Sequence, residues 1–209
     1  MKILVIDDHA VVRHGLKRIL EDEFPGVIFG EAGSPHEALE LVRNQKWNLV
    51  ILDISLPGRD GLEVLKDIHA ECHRLPVIIF SSYPEEQFVI RTFKAGAVGY
   101  LTKESAPEQM GMAVRKVLAG GRYVSPALAE HLAGKFGGEP TQPAHEMLSD
   151  REYQILRMIG AGKTVTAIGE ELSLSVKTVS TYRVRILDKL HLTTTAELIC
   201  YFFENGLKQ

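Results

Sequence analysis

The sequence predicts an α/β domain whose five-stranded parallel sheet is doubly wound by helices, followed by a small all-α helix-turn-helix domain. Three observations point there. Five short β-branched runs recur in the first 120 residues, with helix-length amphipathic segments between them. The runs starting at Leu49 and Val77 are apolar at every position, as central parallel strands covered on both faces must be. Residues 149–207 read instead as four helices with short turns.

The strand runs are Ile3-Leu-Val-Ile6, Val27-Ile-Phe29, Leu49-Val-Ile-Leu52, Val77-Ile-Ile-Phe80 and Val98-Gly-Tyr-Leu101. Ser34-Pro-His-Glu37 starts the helix after the second run, with Ser at the N-cap, Pro at the first helical position and Glu at the third. The α/β domain is expected over 1–120. A linker follows over 121–146, holding a short helix at 125–136 with Leu128, Leu132 and Phe136 on one face, then a Gly/Pro-rich stretch at 137–144. The all-α domain is expected over 147–209. Ser149 with Glu152 and Thr194 with Glu197 have capping-box spacing, and Ser175 is an N-cap before Val176 and Lys177. A helix over 164–172 meets the next through a turn at Ser173-Leu-Ser175, which is helix-turn-helix spacing, and Gly206 ends the last helix.

A chain of 209 residues, 45% hydrophobic and 24% charged, is sized for two ordinary folded domains. A net charge of −3 argues against indiscriminate binding to nucleic acid, yet residues 175–190 carry Lys177, Arg183, Arg185 and Lys189 against Asp188 alone. Cys72 and Cys200 fall in different domains, so no disulfide framework is expected and a reducing cytoplasm fits. No run has the length of a signal peptide core or a membrane span.

Polar groups in open α/β sheets act beyond the carboxyl ends of the strands. The residues following the runs are Asp7-Asp8, Asp53, Ser81-Ser82 and Thr102-Lys103. One aspartate at a strand end is usually a turn or cap. Carboxylates, a hydroxyl and a lysine on strands one, three, four and five converge on one edge. Such carboxylates repel, and an oxygen-seeking divalent cation, Mg²⁺ first, relieves that repulsion. Asp53 would then be the nucleophile toward a phosphoryl group, with Lys103 neutralising the transferred oxygens and Ser81 hydrogen-bonding the product.

The residues Asp7-Asp8-His9, Asp53-Ile-Ser-Leu-Pro-Gly-Arg-Asp-Gly61, Phe80-Ser-Ser82 and Gly99-Tyr-Leu-Thr-Lys103 resemble the receiver domain of two-component response regulators, a flavodoxin-like fold. The resemblance implies Asp53 as phosphoacceptor, and Mg²⁺ held by Asp8, Asp53 and the Ser55 carbonyl with Asp7 through water. It implies Ser81 and Tyr100 as the switch pair, Tyr100 turning inward on phosphorylation, and Lys103 on the phosphate. Lys103-Glu104 departs from the family's frequent Lys-Pro.

The C-terminal part resembles the LuxR-type helix-turn-helix, and with a receiver the NarL/FixJ family, on Leu148-Ser-Asp-Arg-Glu152, Ala167-Ile-Gly-Glu-Glu-Leu172, Ser175-Val-Lys-Thr-Val179 and Ile186-Leu-Asp-Lys-Leu190. Tyr182 and Gly169 stand where the family more often has His and Ala, a departure that would loosen the helix pair or alter a contact. Val176, Val179, Ile186, Leu187 and Leu190 are expected in the core. Lys177, Arg185 and Lys189 then face DNA phosphates, and Thr178, Ser180, Thr181 and Val184 lie at the major groove of repeated half-sites. Ile199, Phe202 and Phe203 are expected to pair two heads. The implied partners are DNA, a sensor histidine kinase and a second copy on phosphorylation, with no membrane. The chain is read as a regulator and not as an enzyme. A haloacid-dehalogenase-type enzyme is the competing class, but it places a second Asp where Ser55 stands; a phosphorylation-independent DNA binder ignores the full pocket.

Two motifs are read as decoys. Gly160-Ala-Gly-Lys-Thr164 lacks the first glycine of a phosphate-binding loop and follows a helix, so it is a turn. His69 and His73 lack further metal ligands and read as a solvated helical face.

Overall fold

The computed structural model describes residues 1–57, 59–83, 85–126, 128–130 and 144–207. The chain divides into two compact units, Met1–Gly137 and Gly138–Gln209.

In the first unit β1 (Lys2–Ile6), β2 (Ile28–Ala32), β3 (Leu49–Leu52), β4 (Val77–Ser81) and β5 (Gly99–Thr102) form one sheet in the order β2-β1-β3-β4-β5, every neighbouring pair parallel. Helices α1 (Ala10–Glu23), α2 (Pro35–Asn44), α3 (Gly61–Glu71) and α4 (Glu85–Lys94) supply the four crossovers, and α5 (Ala106–Leu118) follows β5. Strand side chains alternate between two buried faces. Ile3, Val5, Leu49, Ile51, Ile78, Phe80 and Leu101 pack with Leu16 and Leu20 of α1 and Met110, Val114 and Val117 of α5. The alternate set, Leu4, Ile6, Val50, Leu52, Ile79 and Tyr100, is equally buried. Both-face burial is why the central strands are apolar throughout.

Local signals are realised as read. Ser34 Oγ accepts from Glu37 N, with Pro35 at the first helical position. Gly30 on β2 has no side chain because the single tryptophan, Trp47, lies against it: a Cβ there would come 2.2 Å from the indole, which donates to the Leu41 carbonyl at 2.8 Å. The second strand begins and ends later than its apolar run, since Gly30, Glu31 and Ala32 extend the pairing with β1. Residues 121–123 were expected in the linker. Tyr123 is instead buried, bridges in parallel to Gly99 and receives the Tyr100 N–H at 3.2 Å, so the α/β core continues past the paired glycines. Leu128 is buried; Leu132, Phe136 and the 137–143 stretch lie outside the described residues.

The second unit holds a short 3-10 turn (Ala144–Met147), α6 (Asp150–Gly160), α7 (Val165–Glu171), α8 (Val176–Leu190) and α9 (Thr195–Glu204). Ser149 with Glu152 and Thr194 with Glu197 form complete capping boxes, and Thr164 and Ser175 cap α7 and α8. Each cap contributes about 1 kcal/mol. The 160–164 segment is the turn between α6 and α7, with Gly162 at φ 84° and Lys163 paired to Glu171.

Of the two expectations for this departure, a looser helix pair or an altered contact, Gly169 meets the second by allowing a close approach. A Cβ there would lie 2.8 Å from the Leu174 carbonyl, while Leu174 N donates 2.8 Å to the Gly169 carbonyl across a turn with Ser173 at φ 53°. Phe202 is also corrected. It is 4% exposed and its ring covers Gly160, where a Cβ would approach within 2.2 Å, so Phe202 belongs to the core of its own unit and is unavailable for pairing heads. Phe203, 47% exposed, and half-buried Ile199 remain at the surface.

Candidate functional site

Sheet hydrogen bonding continues one residue past the strands and sets the pocket. Asp7 N donates to Ala32 O, Asp53 N to Ile6 O and Lys103 N to Ser81 O, at 3.1, 2.8 and 2.8 Å. Asp7, Asp53, Ser81 and Lys103 are therefore aligned along the carboxyl edge by backbone register alone. Gly61 lets α3 start close beneath this edge, since a Cβ would meet the Asp53 carbonyl at 2.5 Å. Asp60, buried, caps α3 by accepting from Leu62 N at 2.9 Å.

Asp53 is 1% exposed, and its Oδ1 accepts from Ser55 N at 3.0 Å. Lys103 Nζ donates to Asp53 Oδ2 at 2.8 Å and lies 2.8 Å from Asp7 Oδ2. Burial raises the Asp53 carboxyl above its ordinary value, against the pull of Lys103 and the Ser55 N–H. The Lys103 ammonium is raised too: burial works to lower it, and the charges and hydrogen bonds of Asp53 and Asp7 outweigh that. Both groups hold protons more tightly, Asp53 chiefly because it is buried and Lys103 because two carboxylates face it.

Asp8 sits at the pocket's mouth. His9 Nδ1 lies 2.8 Å from Asp8 Oδ1 and 3.4 Å from Asp7 Oδ1, and His9 N donates to Asp7 Oδ1 at 2.8 Å. Ligand atoms of Asp7, Asp8 and His9 all lie within 4.8 Å of one another. Asp53 is outside that group; the structure brings it to Asp7 through the lysine. His9 was not singled out from the sequence, although its place directly after the aspartate pair was the available signal.

A metal fit is testable on these residues. Asp7 Oδ2 is buried with the Lys103 ammonium, 2.8 Å away, as its counter-charge, so three carboxylates gather around a single cation among the described residues. An all-oxygen donor set of this kind suits Mg²⁺. The ammonium of Lys103 bridges the carboxylates as a cation would.

Ser81 is fully buried, and its Oγ accepts from Tyr83 N at 3.1 Å. Tyr100, expected to turn inward only on phosphorylation, is already inside: it is fully buried and its hydroxyl donates to the Tyr83 carbonyl at 2.9 Å. Tyr83 stacks on Phe88 of α4 at 4.8 Å between centroids, which binds the 82–83 segment to that helix. The peptide bonds of the described residues, Lys103–Glu104 included, are trans.

On α8, Val179, Ile186 and Leu190 are buried and Leu187 half-buried, as expected. Val176 is not: it is 46% exposed, because the first helical turn projects beyond the core. Lys177, Thr181, Val184 and Arg185 are exposed, and Ser180 and Thr178 partly so. Arg185 lies over the Tyr182 ring at 5.9 Å. Thr181 Oγ1 donates to its own helix at Lys177 O, 3.0 Å away, and Thr178 Oγ1 meets Ser175 Oγ at 2.8 Å. Lys189 departs from the phosphate-facing set. Its Nζ donates to Glu152 Oε2 at 2.6 Å, so its charge is engaged by the capping box of α6.

A 2-1-3-4-5 parallel sheet with this acidic edge, carried in one chain with a helix-turn-helix, defines a response regulator with its own DNA-binding head. Residues 3–115 match the family described as "Response regulator receiver domain", and residues 146–202 match "Bacterial regulatory proteins, luxR family". The chain is 38% identical over 208 residues to response regulator GacA of Pseudomonas aeruginosa, covering 99% of this chain and 97% of that one. It is 36% identical to response regulator UvrY of Escherichia coli, covering 99% and 95%. RcsB from Salmonella enterica serovar Typhimurium, bound to promoter P1flhDC in the presence of the phosphomimetic BeF3⁻, aligns with TM-score 0.67 at 25% identity over 96% of this chain and 97% of that one. The chain belongs to the NarL/FixJ response regulators. No helix among the described residues is long and apolar enough to cross a membrane.

Proposed function

We propose that Asp53 accepts a phosphoryl group in a Mg²⁺-dependent reaction and that this modification controls dimerisation and sequence-specific DNA binding. The observation that carries the reading is the Lys103 ammonium lying 2.8 Å from both Asp53 Oδ2 and Asp7 Oδ2 in a buried pocket. Asp7, Asp8, Asp53 and the Ser55 carbonyl would hold Mg²⁺, which when bound neutralises charge on the transferred oxygens. Asp53 Oδ attacks phosphorus as the bond to the donor's leaving atom breaks, an imidazole nitrogen for a phosphohistidine and a carboxylate oxygen for a small acyl phosphate, and Lys103 follows the phosphoryl oxygens. Ser81 Oγ, which accepts from Tyr83 N, then gains a dianionic partner to which it donates, at about 1.5–3 kcal/mol for a charge-assisted bond, and turning toward that partner changes its hold on Tyr83. Tyr83 carries the Tyr100 hydroxyl, so the 82–83 segment and the start of α4 shift together.

In the reader, Lys177 and Arg185 hold phosphates, and Ser180, Thr181 and Val184 meet base edges. Exposed Val176 joins this face, since valine methyls suit thymine methyl groups. Thr178 braces the helix start. The proposed organisation is a receiver at 1–123, a connection to 146 and a reader at 147–209, working in the cytoplasm with a sensor histidine kinase. Inverted or direct half-sites, one per protomer, are the expected target.

Intact-mass measurement with a small phosphodonor tests the chemistry: one phosphoryl added with Mg²⁺, none with a chelator and none on Asp53→Asn. Equal labelling of Asp53→Asn would remove Asp53 as acceptor.

A further inference from the structure

The sheet edge opposite Asp53 carries a second chemical feature. Asn48, Pro76 and Val98, which precede β3, β4 and β5, lie on the wall of a cavity of about 660 Å³. Ligand pockets run from about 300 to 1,000 Å³. Arg74, Lys94 and Arg122 line it, and no Asp or Glu does among the described residues. None of the three cations has an ion-pair partner among the described residues. The carboxylates of neighbouring α3 are engaged elsewhere, Glu71 by Arg43 and Asp67 by Arg59.

Helices α3, α4 and α5 end at this edge, and cations facing helix carboxyl termini ordinarily only offset the dipoles. Three termini carry roughly half a negative charge each, so three cations leave an excess of about +1.5. A phosphomonoester bears about −1.5 to −2 at neutral pH, which matches that excess better than a monocarboxylate. Two of the three cations are arginines, whose planar forks suit phosphate oxygens. Arg122 is held above the Phe93 ring at 5.9 Å.

The histidine pair set aside in the sequence lines the same cavity. His69 packs against Gly96, at φ 108°, where a Cβ would meet the ring at 2.8 Å. Its Nε2 lies 3.1 Å from His73 Nδ1. One ring must donate and the other accept, so the pair offers an imidazole N–H toward a ligand without needing a metal.

We propose that this cavity binds a phosphate-bearing small molecule through Arg74, Lys94 and Arg122. The site does not depend on phosphotransfer at Asp53, which lies at the other end of the strands.

The test is amide NMR of the full chain without Mg²⁺, titrated separately with AMP, inorganic pyrophosphate and citrate. AMP and pyrophosphate are expected to shift the Gly96, Gly120 and Gly121 amides. Arg74→Ala and Arg122→Ala should each weaken that binding about tenfold, with Lys103→Ala leaving it unchanged. The remaining amides report whether each variant stays folded. Absence of these shifts up to roughly 10 mM of either phosphate compound, or equal binding by folded Arg74→Ala and Arg122→Ala, would overturn the site. Citrate shifting the same amides as strongly would overturn the assignment to phosphate.

Discussion

The two surfaces proposed for phosphotransfer and for DNA treat charge in opposite ways. At the receiver's edge Asp7 and Asp53 are each 1% exposed and share one lysine, so every ionised group there depends on another. On α8, Lys177 and Arg185 stand in solvent. Chemistry on a carboxylate needs desolvated charges that strengthen one another, whereas capture of a phosphate backbone needs long cations free to find it. Substitutions should therefore act as a block in the receiver and in small, salt-sensitive increments in the reader.

The largest effect expected is on Asp53→Asn, which should abolish phosphoryl incorporation while the protein melts as a folded chain; incorporation on the variant would break the contrast at its strongest point. Next is Gly160→Val, which drives a side chain into the Phe202 ring and should cost about 3 kcal/mol, seen as an earlier thermal transition of the reader. Thr181→Ala should change the preferred base at a cost of about 1–3 kcal/mol in binding-site selection. Lys177→Ala should weaken all sequences alike and lower the salt slope by roughly one, but Lys189→Ala should leave the slope nearly intact, because its ammonium is held by Glu152. A full unit lost from the slope on Lys189→Ala would return it to the DNA-facing set.

The smallest effect is the acid dependence of that pair. Burial works to raise the Glu152 carboxyl, but Lys189 and Ser149 prevail and hold it below the usual carboxylate range. A carboxyl lowered on folding stabilises the protein above its unfolded value, and that contribution is lost as pH falls through the folded value. Glu152→Gln should thus be less stable than wild type near neutrality, by about 0.5–1 kcal/mol because Lys189 is partly solvent-screened, with the gap closing in acid.

Sheet, helix starts and pocket were readable because each is set locally: apolar alternation, a capping hydroxyl, a polar residue at a strand end. Asp7, Asp53, Ser81 and Lys103 needed only backbone register to meet. What escaped depends on partners distant in sequence. Tyr123 looks like linker until Gly99 pairs with it, and Phe202 looks like spare apolar surface until Gly160 leaves room for its ring. Lys189 carries the same charge as Lys177, and only its distance to Glu152 separates their roles. The left-handed residues Ser173 and His191 give no glycine signal, since hydrogen bonds around the turns hold them there.

Trp47, pressed against Gly30, makes the chain its own two-channel reporter. It is the only tryptophan, and it lies in the α/β unit, while Tyr153, Tyr182 and Tyr201 are the aromatic hydroxyls of the helical unit. Indole emission excited beyond the tyrosine band follows unfolding of the first unit alone, and far-ultraviolet dichroism follows both. Coincident curves would mean the units melt as one cooperative body, and separated curves would give each its own midpoint, with no dye or engineered label added.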